Sequence, residues 1–355
     1  MAAWEIYTGN REPHDNIAAK LPAPPPWRTF SGAPILSTPQ ARSGGGHTAT
    51  TYLPSRDTIQ QVNAALYLRR PLLVTGPPGT GKSALAYAVA HELKLGPVLL
   101  WPISSRATVH EGLYEYDPLS RLEAASAYAS ENAEVNSARY RHDRATRLDH
   151  AASVGDYIRL GPLGTALLPY ERPRVLLIDE IDKSDIDLAN DLLTIFETGT
   201  YEIIELARQA IPMAEVMTAD STTSRVPIYH GTITCNEFPL VIMTSNGERE
   251  FPPAFLRRCL TLRLRQPASE AELAAIVAEH LTGVMSANGE LPAQARDIIR
   301  HFFNRRASGL LANDQLLNAI YLCHHALLDD QPGDILQLAD QVMPFLDTDS
   351  GPDDG

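Results

Sequence analysis

The chain has 355 residues, 44% hydrophobic and 21% charged, a composition that excludes wholesale disorder, collagen-like repeats and disulfide scaffolds. Its net charge of −13 disfavours proteins that bind nucleic acid or anionic lipid through broad electrostatic attraction. The longest apolar runs fall far short of the roughly 20 residues that span a bilayer, and the first ten residues lack a signal-peptide pattern, so we expect a cytoplasmic protein with no membrane segment.

Residues 1–54 are predicted to form a proline-rich N-terminal arm. Eight prolines lie between residues 13 and 54, with three consecutive glycines at 44–46, and this pattern predicts no regular helix or strand there. Tryptophans at positions 4 and 27 leave two alternatives open. The arm either packs on a neighbouring surface, pinned by Trp27, or is a mobile tether.

Residues 55–266 are predicted to form an α/β domain. A helical pattern runs from 56 to 70, and further helical stretches are expected at 84–94, 185–197 and 252–258. Between them lie five short apolar runs: 72–74, 98–101, 175–178, 240–243 and 260–264. Continuous apolar runs that alternate with helices indicate strands buried on both faces of a parallel sheet.

Two regions depart from this alternation. Residues 104–170 are too long for a simple crossover and must contain an insertion, whose alanine-rich, charge-balanced stretch 121–150 predicts a solvated helix or a mobile segment. From 267 to 345 apolar residues recur at helical spacing without strand candidates, which predicts a separate small helical domain. An acidic tail follows at 346–355.

The segment from Gly76 to Ser83 matches the phosphate-loop pattern G-x-x-x-x-G-K-[ST] between a predicted strand and a predicted helix. Glycines let consecutive backbone N–H groups face one oxyanion, and the helix N-terminus adds partial positive charge. Lys82 is expected to reach the β and γ phosphates, and the Ser83 hydroxyl to bind Mg²⁺. The predicted nucleotide-binding residues are Gly76, Pro77, Pro78, Gly79, Thr80, Gly81, Lys82, Ser83 and Ala84.

Two adjacent acids, Asp179 and Glu180, end the apolar run 175–178. Ligands of open α/β sheets bind at the carboxyl ends of the strands, so both acids are expected beside the phosphate loop. Asp179 is predicted to hold the Mg²⁺ hydration shell together with Ser83, and Glu180 to polarise a water for attack on the γ-phosphate.

These residues resemble the AAA+ ATPases. The first motif looks like Walker A, the acid pair like Walker B, and the segment 244–246 like sensor 1, whose Asn246 would contact the attacking water or the γ-phosphate. The resemblance implies a P-loop NTPase core with a five-stranded parallel sheet flanked by helices, and a C-terminal helical lid. It also implies ATP and Mg²⁺ as cofactors.

Within the AAA+ ATPases, the tracts 105–117, 161–164 and 200–230 resemble the MoxR group, the last as a hairpin around 200–235. The opening residues 4–28 resemble MoxR-like ATPases of bacterial conflict systems, which are encoded with a von Willebrand factor A-type protein and a VMAP-type protein. This resemblance implies a ring of identical subunits, most simply a hexamer, that remodels or activates such a partner.

The segment 252–258 resembles the stretch that carries the arginine finger, with Arg258 as first candidate and Arg257 as second. An arginine from the neighbouring subunit would stabilise charge on the transferring phosphoryl group. The chain departs from the family at sensor 2, because an arginine is expected near the start of the helix 312–328 and the residues there are Asn313 and Asp314. Arg305 or the adjacent Arg306 would substitute for it, or both belong to a solvated face.

The motifs thus predict a Mg²⁺-dependent ATPase, and the resemblance implies a ring that uses hydrolysis to remodel or activate a partner protein. A second hypothesis is an ATP-gated assembly switch with little turnover, which an intact Glu180 disfavours and the absent sensor 2 arginine favours. A third, a nucleic-acid motor, is disfavoured by the acidic charge balance.

Overall fold

The computed structural model describes residues 4–40, 46–133, 153–209, 212–281, 291–326 and 335–346. The strands are β1 (Leu72–Thr75), β2 (Leu99–Pro102), β3 (Tyr114–Tyr116), β4 (Ile158–Leu160), β5 (Val175–Asp179), β6 (Thr200–Glu202), β7 (Met213–Thr218), β8 (Ser221–Tyr229), β9 (Thr232–Thr234), β10 (Leu240–Ser245) and β11 (Leu260–Arg263). The helices are α1 (Asn16–Lys20), α2 (Gly46–Thr51), α3 (Arg56–Leu68), α4 (Lys82–Glu92), α5 (Val109–Leu113), α6 (Pro118–Ala133), α7 (Pro162–Ala166), α8 (Ile186–Thr198), α9 (Ile204–Arg208), α10 (Pro253–Leu256), α11 (Glu270–His280), α12 (Ala293–Arg305), α13 (Asn313–Ala326) and α14 (Ile335–Val342).

A parallel five-stranded sheet forms the centre of the fold, with strand order β11-β1-β10-β5-β2. Alternate residues of the three inner strands enter two different hydrophobic cores, so that Leu73 belongs to one core and Leu72 and Val74 to the other. Helices α3 and α4 cover the second core, whereas α7 and α8 cover the first. The predicted α/β fold with a five-stranded parallel sheet is confirmed.

A second, six-stranded sheet lies beside the first, in the order β3-β4-β7-β8-β9-β6. Strands β3 and β4 belong to the predicted insertion, and β6 to β9 belong to the predicted hairpin region. A parallel pairing of Arg159 in β4 with Met217 in β7 joins the two regions into one sheet. The sequence did not predict this pairing. In the 121–150 stretch, α6 extends to residue 133, and residues 134–150 lie outside the described residues.

The prediction that residues 13–54 form no regular element is wrong. Helices α1 and α2 form in two of the proline-free gaps, where every backbone N–H group remains available for an intrahelical hydrogen bond. A 3₁₀ turn, Pro26–Arg28, begins at the proline run itself, because proline is tolerated at the first position of a helical turn.

The N-terminal arm is packed on the α/β core rather than free. Asn63 of α3 is fully buried, and its Oδ1 accepts hydrogen bonds from the backbone N–H groups of Ile6 (2.7 Å) and Tyr7 (3.0 Å). Trp27 is 79% exposed and does not pin the arm. Instead the neighbouring Arg28 donates to the Arg69 carbonyl oxygen at 2.6 Å.

Helices α11 to α14 surround a third hydrophobic core that includes Leu273, Phe302 and Leu316. Between residues 267 and 346, the described part of the chain contains helices and no strands, as expected for the helical lid. The lid contacts the α/β core through Gln266, whose Nε2 donates to the Leu311 carbonyl oxygen at 3.0 Å. Most of the predicted acidic tail, residues 347–355, lies outside the described residues. None of the described helices combines the length and apolarity that crossing a bilayer requires.

Candidate functional site

The register of the central sheet brings three strand ends to one edge. Val74 of β1 lies opposite Thr244 of β10, and Met243 of β10 lies opposite Ile178 of β5. The phosphate loop after β1, the turn after β10 and the acid pair at the tip of β5 are therefore neighbours. Strand β10 lies between the other two, where sensor 1 was predicted.

The phosphate loop has a backbone that requires its glycines. Gly76 and Gly81 have positive φ values of 152° and 83°. A Cβ atom on Gly76 would lie 2.6 Å from the Leu264 carbonyl oxygen, and one on Gly81 would lie 3.0 Å from the Tyr52 ring. Helix α4 begins at Lys82 directly after the loop, so its N-terminal N–H groups face the same space as the loop amides.

Lys82 crosses the loop that precedes it. Its Nζ donates hydrogen bonds to the carbonyl oxygens of Gly76 (2.8 Å) and Pro77 (3.0 Å) and to Oδ1 of Asn246 (2.7 Å). Burial lowers the pKa of this ammonium, whereas the nearby carboxylates, Asp182 foremost, oppose that shift. The structure thus brings the predicted phosphate-binding cation and the predicted sensor residue into direct contact.

Asp179 is held at the tip of β5 by two hydroxyl groups. The Ser83 hydroxyl donates to its Oδ1 at 2.6 Å, and the Thr244 hydroxyl donates to the same oxygen at 2.7 Å. Thr244 also accepts a hydrogen bond from the Glu180 backbone N–H at 2.8 Å. The sequence assigned no separate role to Thr244. The only indication of a role for Thr244 was its position near the end of β10, a strand that ends beside β5.

The oxygens of Ser83 and Asp179 fit Mg²⁺. This ion binds hydroxyl and carboxylate oxygens, and commonly takes one or two protein ligands, with nucleotide phosphates and waters completing its octahedron. Within the described ranges, no group of three or more histidine, cysteine, aspartate or glutamate side chains has the arrangement of a metal site. The pair matches an ion that is shared with a phosphate, rather than one enclosed by protein ligands.

Glu180 has a strained backbone, with φ at 61°, a left-handed conformation that is uncommon for residues other than glycine. Its carboxylate is 42% exposed and pairs with Lys183, whose Nζ lies 2.6 Å from Oε2. The side chain therefore projects from the strand tip toward solvent, while its neighbour Asp179 points at Ser83. A single strand end presents two acids in two different environments.

Arg257 and Arg258 lie at the opposite end of the strands of the central sheet from the phosphate loop. Both precede β11, which runs parallel to β1 with Leu260 opposite Leu72, whereas the phosphate loop follows β1. Four strand residues separate the two positions, about 13 Å at about 3.3 Å per residue. The Arg258 side chain pairs with Glu197 of the same chain. The structure does not bring these arginines to the phosphate loop of their own subunit.

The start of α13 lies against the phosphate loop where a sensor 2 arginine was expected. A Cβ atom on Gly79 would meet the Asn313 backbone nitrogen at 2.7 Å, and Asn313 is only 9% exposed. Arg305 pairs instead with Asp340 at 2.6 Å, and Arg306 donates to the Pro267 carbonyl oxygen at 2.9 Å. Neither arginine is directed at the phosphate loop.

A cavity of about 510 Å³ adjoins the phosphate loop on the lid side. Its lining includes Tyr52, Thr80, Arg265, Ile276 and Asn313, so it is bounded by the N-terminal arm, the loop, the segment after β11 and the lid. Small-molecule sites usually measure about 300–1,000 Å³ and are lined by apolar groups with a few polar ones. The cavity is large enough for a nucleoside next to the phosphate-binding turn.

NtrX and PCH-2 are among the solved structures that align with this chain at low identity. NtrX from Brucella abortus, in complex with ADP, is 13% identical with a TM-score of 0.39, and the alignment covers 84% of this chain and 57% of that one. PCH-2 from C. elegans is 15% identical with a TM-score of 0.33, over 85% and 68% of the two chains. The chain thus spans little more than half the length of NtrX.

No curated protein matches the sequence significantly. The model of the AAA domain (dynein-related subfamily), however, matches residues 71–259, which contain the phosphate loop, the acid pair at the tip of β5 and the turn after β10. This match covers more than half of the chain, so the protein belongs to the dynein-related subfamily of AAA domains.

Proposed function

We propose that this chain is a Mg²⁺-dependent ATPase of the MoxR type. The observation that carries the proposal is the contact of Lys82 with both the glycine loop and Asn246, beside a strand tip whose Asp179 bonds Ser83. Phosphate-binding groups and acidic groups share this one space. A binding fold without hydrolysis has no need for the second acid, Glu180, at the same strand tip.

The residues divide the work of phosphoryl transfer between them. The loop amides, the N-terminus of α4 and the Lys82 ammonium bind the phosphates and neutralise their charge. Ser83 and Asp179 would hold Mg²⁺, which when bound screens the phosphate oxygens. Glu180, at an exposed tip, accepts a proton from the attacking water after its carboxylate leaves Lys183. Asn246 orients that water or the γ-phosphate with its side-chain amide.

Assembly belongs to the proposal because the candidate arginine fingers lie at the opposite end of the strands from the phosphate loop of their own chain. In a ring of identical subunits, Arg258, or Arg257 as second candidate, reaches the nucleotide of a neighbour across a head-to-tail interface. We propose a hexamer that couples hydrolysis to remodelling of a partner protein, with a von Willebrand factor A-type protein and a VMAP-type protein as candidates.

The test is steady-state phosphate release by the wild-type protein, Glu180→Gln and a matched control, Glu250→Gln, which changes an exposed glutamate on the sensor side of the site. We expect Glu180→Gln to bind ATP with unchanged affinity and to lose turnover by about 10²-fold or more, as removal of a catalytic base does. Glu250→Gln should behave as wild type.

Three outcomes would contradict parts of this proposal. No turnover by an assembled wild-type ring that binds ATP would support the ATP-gated switch instead. Equal turnover by wild type and Glu180→Gln would remove Glu180 from the mechanism. Stimulation by DNA or RNA that weakens with salt would favour the nucleic-acid motor.

A further inference from the structure

Asp182 is a buried carboxylate in the 3₁₀ turn Ile181–Lys183, just after the acid pair. It is 3% exposed. Its Oδ2 accepts three hydrogen bonds, from the backbone N–H groups of Asn246 (2.9 Å), Gly247 (2.9 Å) and Glu248 (3.1 Å). One oxygen atom therefore holds the whole turn that follows β10.

The turn depends on this contact for its shape. Gly247 has φ at 84°, so the chain reverses there and aims three successive N–H groups at one point. Strand β10 ends at Ser245, and the amides beyond it have no ladder partner in the central sheet. Without an acceptor at position 182, the three amides would lose their common partner, and only the Gly247 amide would keep a second acceptor, the Ser245 hydroxyl at 3.0 Å.

The contact leads directly to the phosphate-binding cation. Asn246, whose backbone N–H bonds Asp182, uses its side-chain Oδ1 to accept from Lys82 Nζ at 2.7 Å. Asp182 is therefore linked to Lys82 by hydrogen bonds through the turn, in addition to the direct attraction between its charge and the Lys82 ammonium. A change at Asp182 would first displace Asn246.

Burial of this carboxylate is expensive, which argues for a role beyond packing. Its second oxygen, Oδ1, has no hydrogen-bonding partner among the residues that the structure describes. A buried carboxylate that lacks a directly bonded cation loses its hydration without full compensation, and an apolar residue of similar size would avoid this loss. Charge-assisted bonds to three amides offset part of it and give the turn one geometry.

A second set of hydrogen bonds also connects the ends of β5 and β10. The Thr244 hydroxyl bridges Asp179 Oδ1 and the Glu180 backbone N–H, one residue before the end of β10. Together the two links join the tip of β5 to the tip of β10 on both sides of Glu180. The backbone of Glu180, the proposed base, and Asn246, the proposed orienting residue, are therefore joined by hydrogen bonds between the two strand tips.

We propose that Asp182 is a positioning residue that fixes Asn246 against Lys82 and so couples the strand tip carrying Glu180 to the turn that follows β10. The inference rests on the proposed ATPase function for its kinetic consequence, but its structural consequence is independent of turnover. The two are therefore measured separately, on the full-length protein.

The structural measurement is hydrogen exchange, read by mass spectrometry, of peptides that cover residues 244–250. Asp182→Ala removes the acceptor, and we expect the amides of the turn to exchange at least about tenfold faster. Asp182→Asn keeps an acceptor oxygen, so its exchange should stay within about threefold of wild type. Asp187→Ala, which changes an exposed aspartate at the start of α8, is the matched control.

The kinetic measurement is steady-state ATP turnover with separate determination of ADP affinity. A misplaced orienting group costs up to about 10²-fold in rate, so Asp182→Ala should lower kcat by tenfold to about 10²-fold. Its KM and ADP affinity should change by less than about threefold, because the phosphate loop is intact. Asp182→Asn should recover most of kcat. A purely structural role would lower the melting temperature and leave kcat per folded protein unchanged.

Unchanged exchange of the turn in a folded Asp182→Ala protein would overturn the proposal. So would a loss of ADP affinity equal to the loss of kcat, or a failure of Asp182→Asn to recover either property. If Asp182→Ala does not fold, Asp182→Ser replaces it, because a shorter side chain cannot reach all three amides. If the wild type itself shows no turnover, the ATPase proposal fails, and the exchange measurement still decides the role of Asp182.

Discussion

The Arg258→Ala variant distinguishes two hypotheses, an ATPase whose site needs an arginine from a neighbouring subunit and one whose single subunit is sufficient. The Arg258 side chain is 33% exposed and its partner Glu197 is 52% exposed. An ion pair this accessible contributes about 0–1 kcal/mol to the free energy of unfolding, so the variant should fold normally. If Arg258 stabilises the transferring phosphoryl group of a neighbour, turnover should fall by about 10³-fold or more, equivalent to about 4 kcal/mol in the activation free energy.

The assay mixes two inactive variants. Arg258→Ala retains an intact phosphate site and Glu180→Gln retains an intact arginine, so each lacks what the other supplies. In a randomly mixed ring, about a quarter of the interfaces pair an Arg258→Ala site with a Glu180→Gln arginine. Turnover should therefore recover to about a quarter of wild type when equal amounts are dissociated and reassembled together. The same mixture prepared without subunit exchange should remain inactive.

The matched control is Arg225→Ala, because Arg225 forms a similarly exposed ion pair with Asp156 in the second sheet. Its turnover should equal wild type. If Arg258→Ala keeps full activity and Arg257→Ala loses it, the second candidate is the finger. If both variants keep full activity, or if mixing restores nothing while size measurements show mixed rings, the argument from opposite ends of the strands is refuted.

Three further predictions concern other contacts. Thr244→Val keeps the shape of the side chain but removes the hydroxyl that bonds both Asp179 and the Glu180 backbone N–H. We expect kcat to fall by about tenfold while ATP affinity is unchanged. Equal kcat values for Thr244→Val and a Thr244→Ser control would contradict this. Glu92→Ala deletes a fully buried carboxylate that accepts hydrogen bonds from four donors of the N-terminal arm. The free energy of unfolding, measured by urea titration, should therefore fall by about 3 kcal/mol, and the arm should become sensitive to protease. An arm as resistant to protease as that of the wild type would refute its docking through Glu92. Burial raises the pKa of the Cys235 and Cys259 thiols to about 12, and unfolded thiols ionise near 9.0. The unfolded chain therefore releases protons first, so the stabilisation present below pH 9 should be lost progressively between about pH 9 and pH 12. A double cysteine-to-alanine variant should show a shallower decline over that range, and an identical decline would contradict the assignment.

The phosphate loop and the acid pair were predictable because each carries strict local chemistry. Only a turn with glycine at positions 76 and 81 adopts those positive φ values without a Cβ clash. The strand at 175–178 was legible as a continuous apolar run because both of its faces are buried. Local sterics and burial, which a single segment encodes, therefore indicated both the central sheet and the position of the site.

The second sheet was not predictable in the same way. Strands β3, β4, β6 and β9 have three residues each, too few to show an alternating pattern. The residues of β4 and β7 that pair lie 58 positions apart, Arg159 opposite Met217. The N-terminal arm shows the same limit, because Trp27 was the obvious anchor by composition, and yet Arg28 anchors the arm through a carbonyl oxygen that no pattern marks.

Asp182 illustrates why the remaining part of the site escaped prediction. In the sequence it is one aspartate in an acidic stretch, and its importance depends on the three amides that β10 delivers from more than sixty residues away. The three amides reach Asp182 because Met243 pairs with Ile178, and neither segment encodes that register alone. A parallel sheet therefore does more than carry the motifs to one edge. By fixing how far each strand extends beyond its neighbour, it determines which polar side chain can accept the unpaired amides of the next turn. The turn after β10 is consequently as much a product of β5 as of its own sequence.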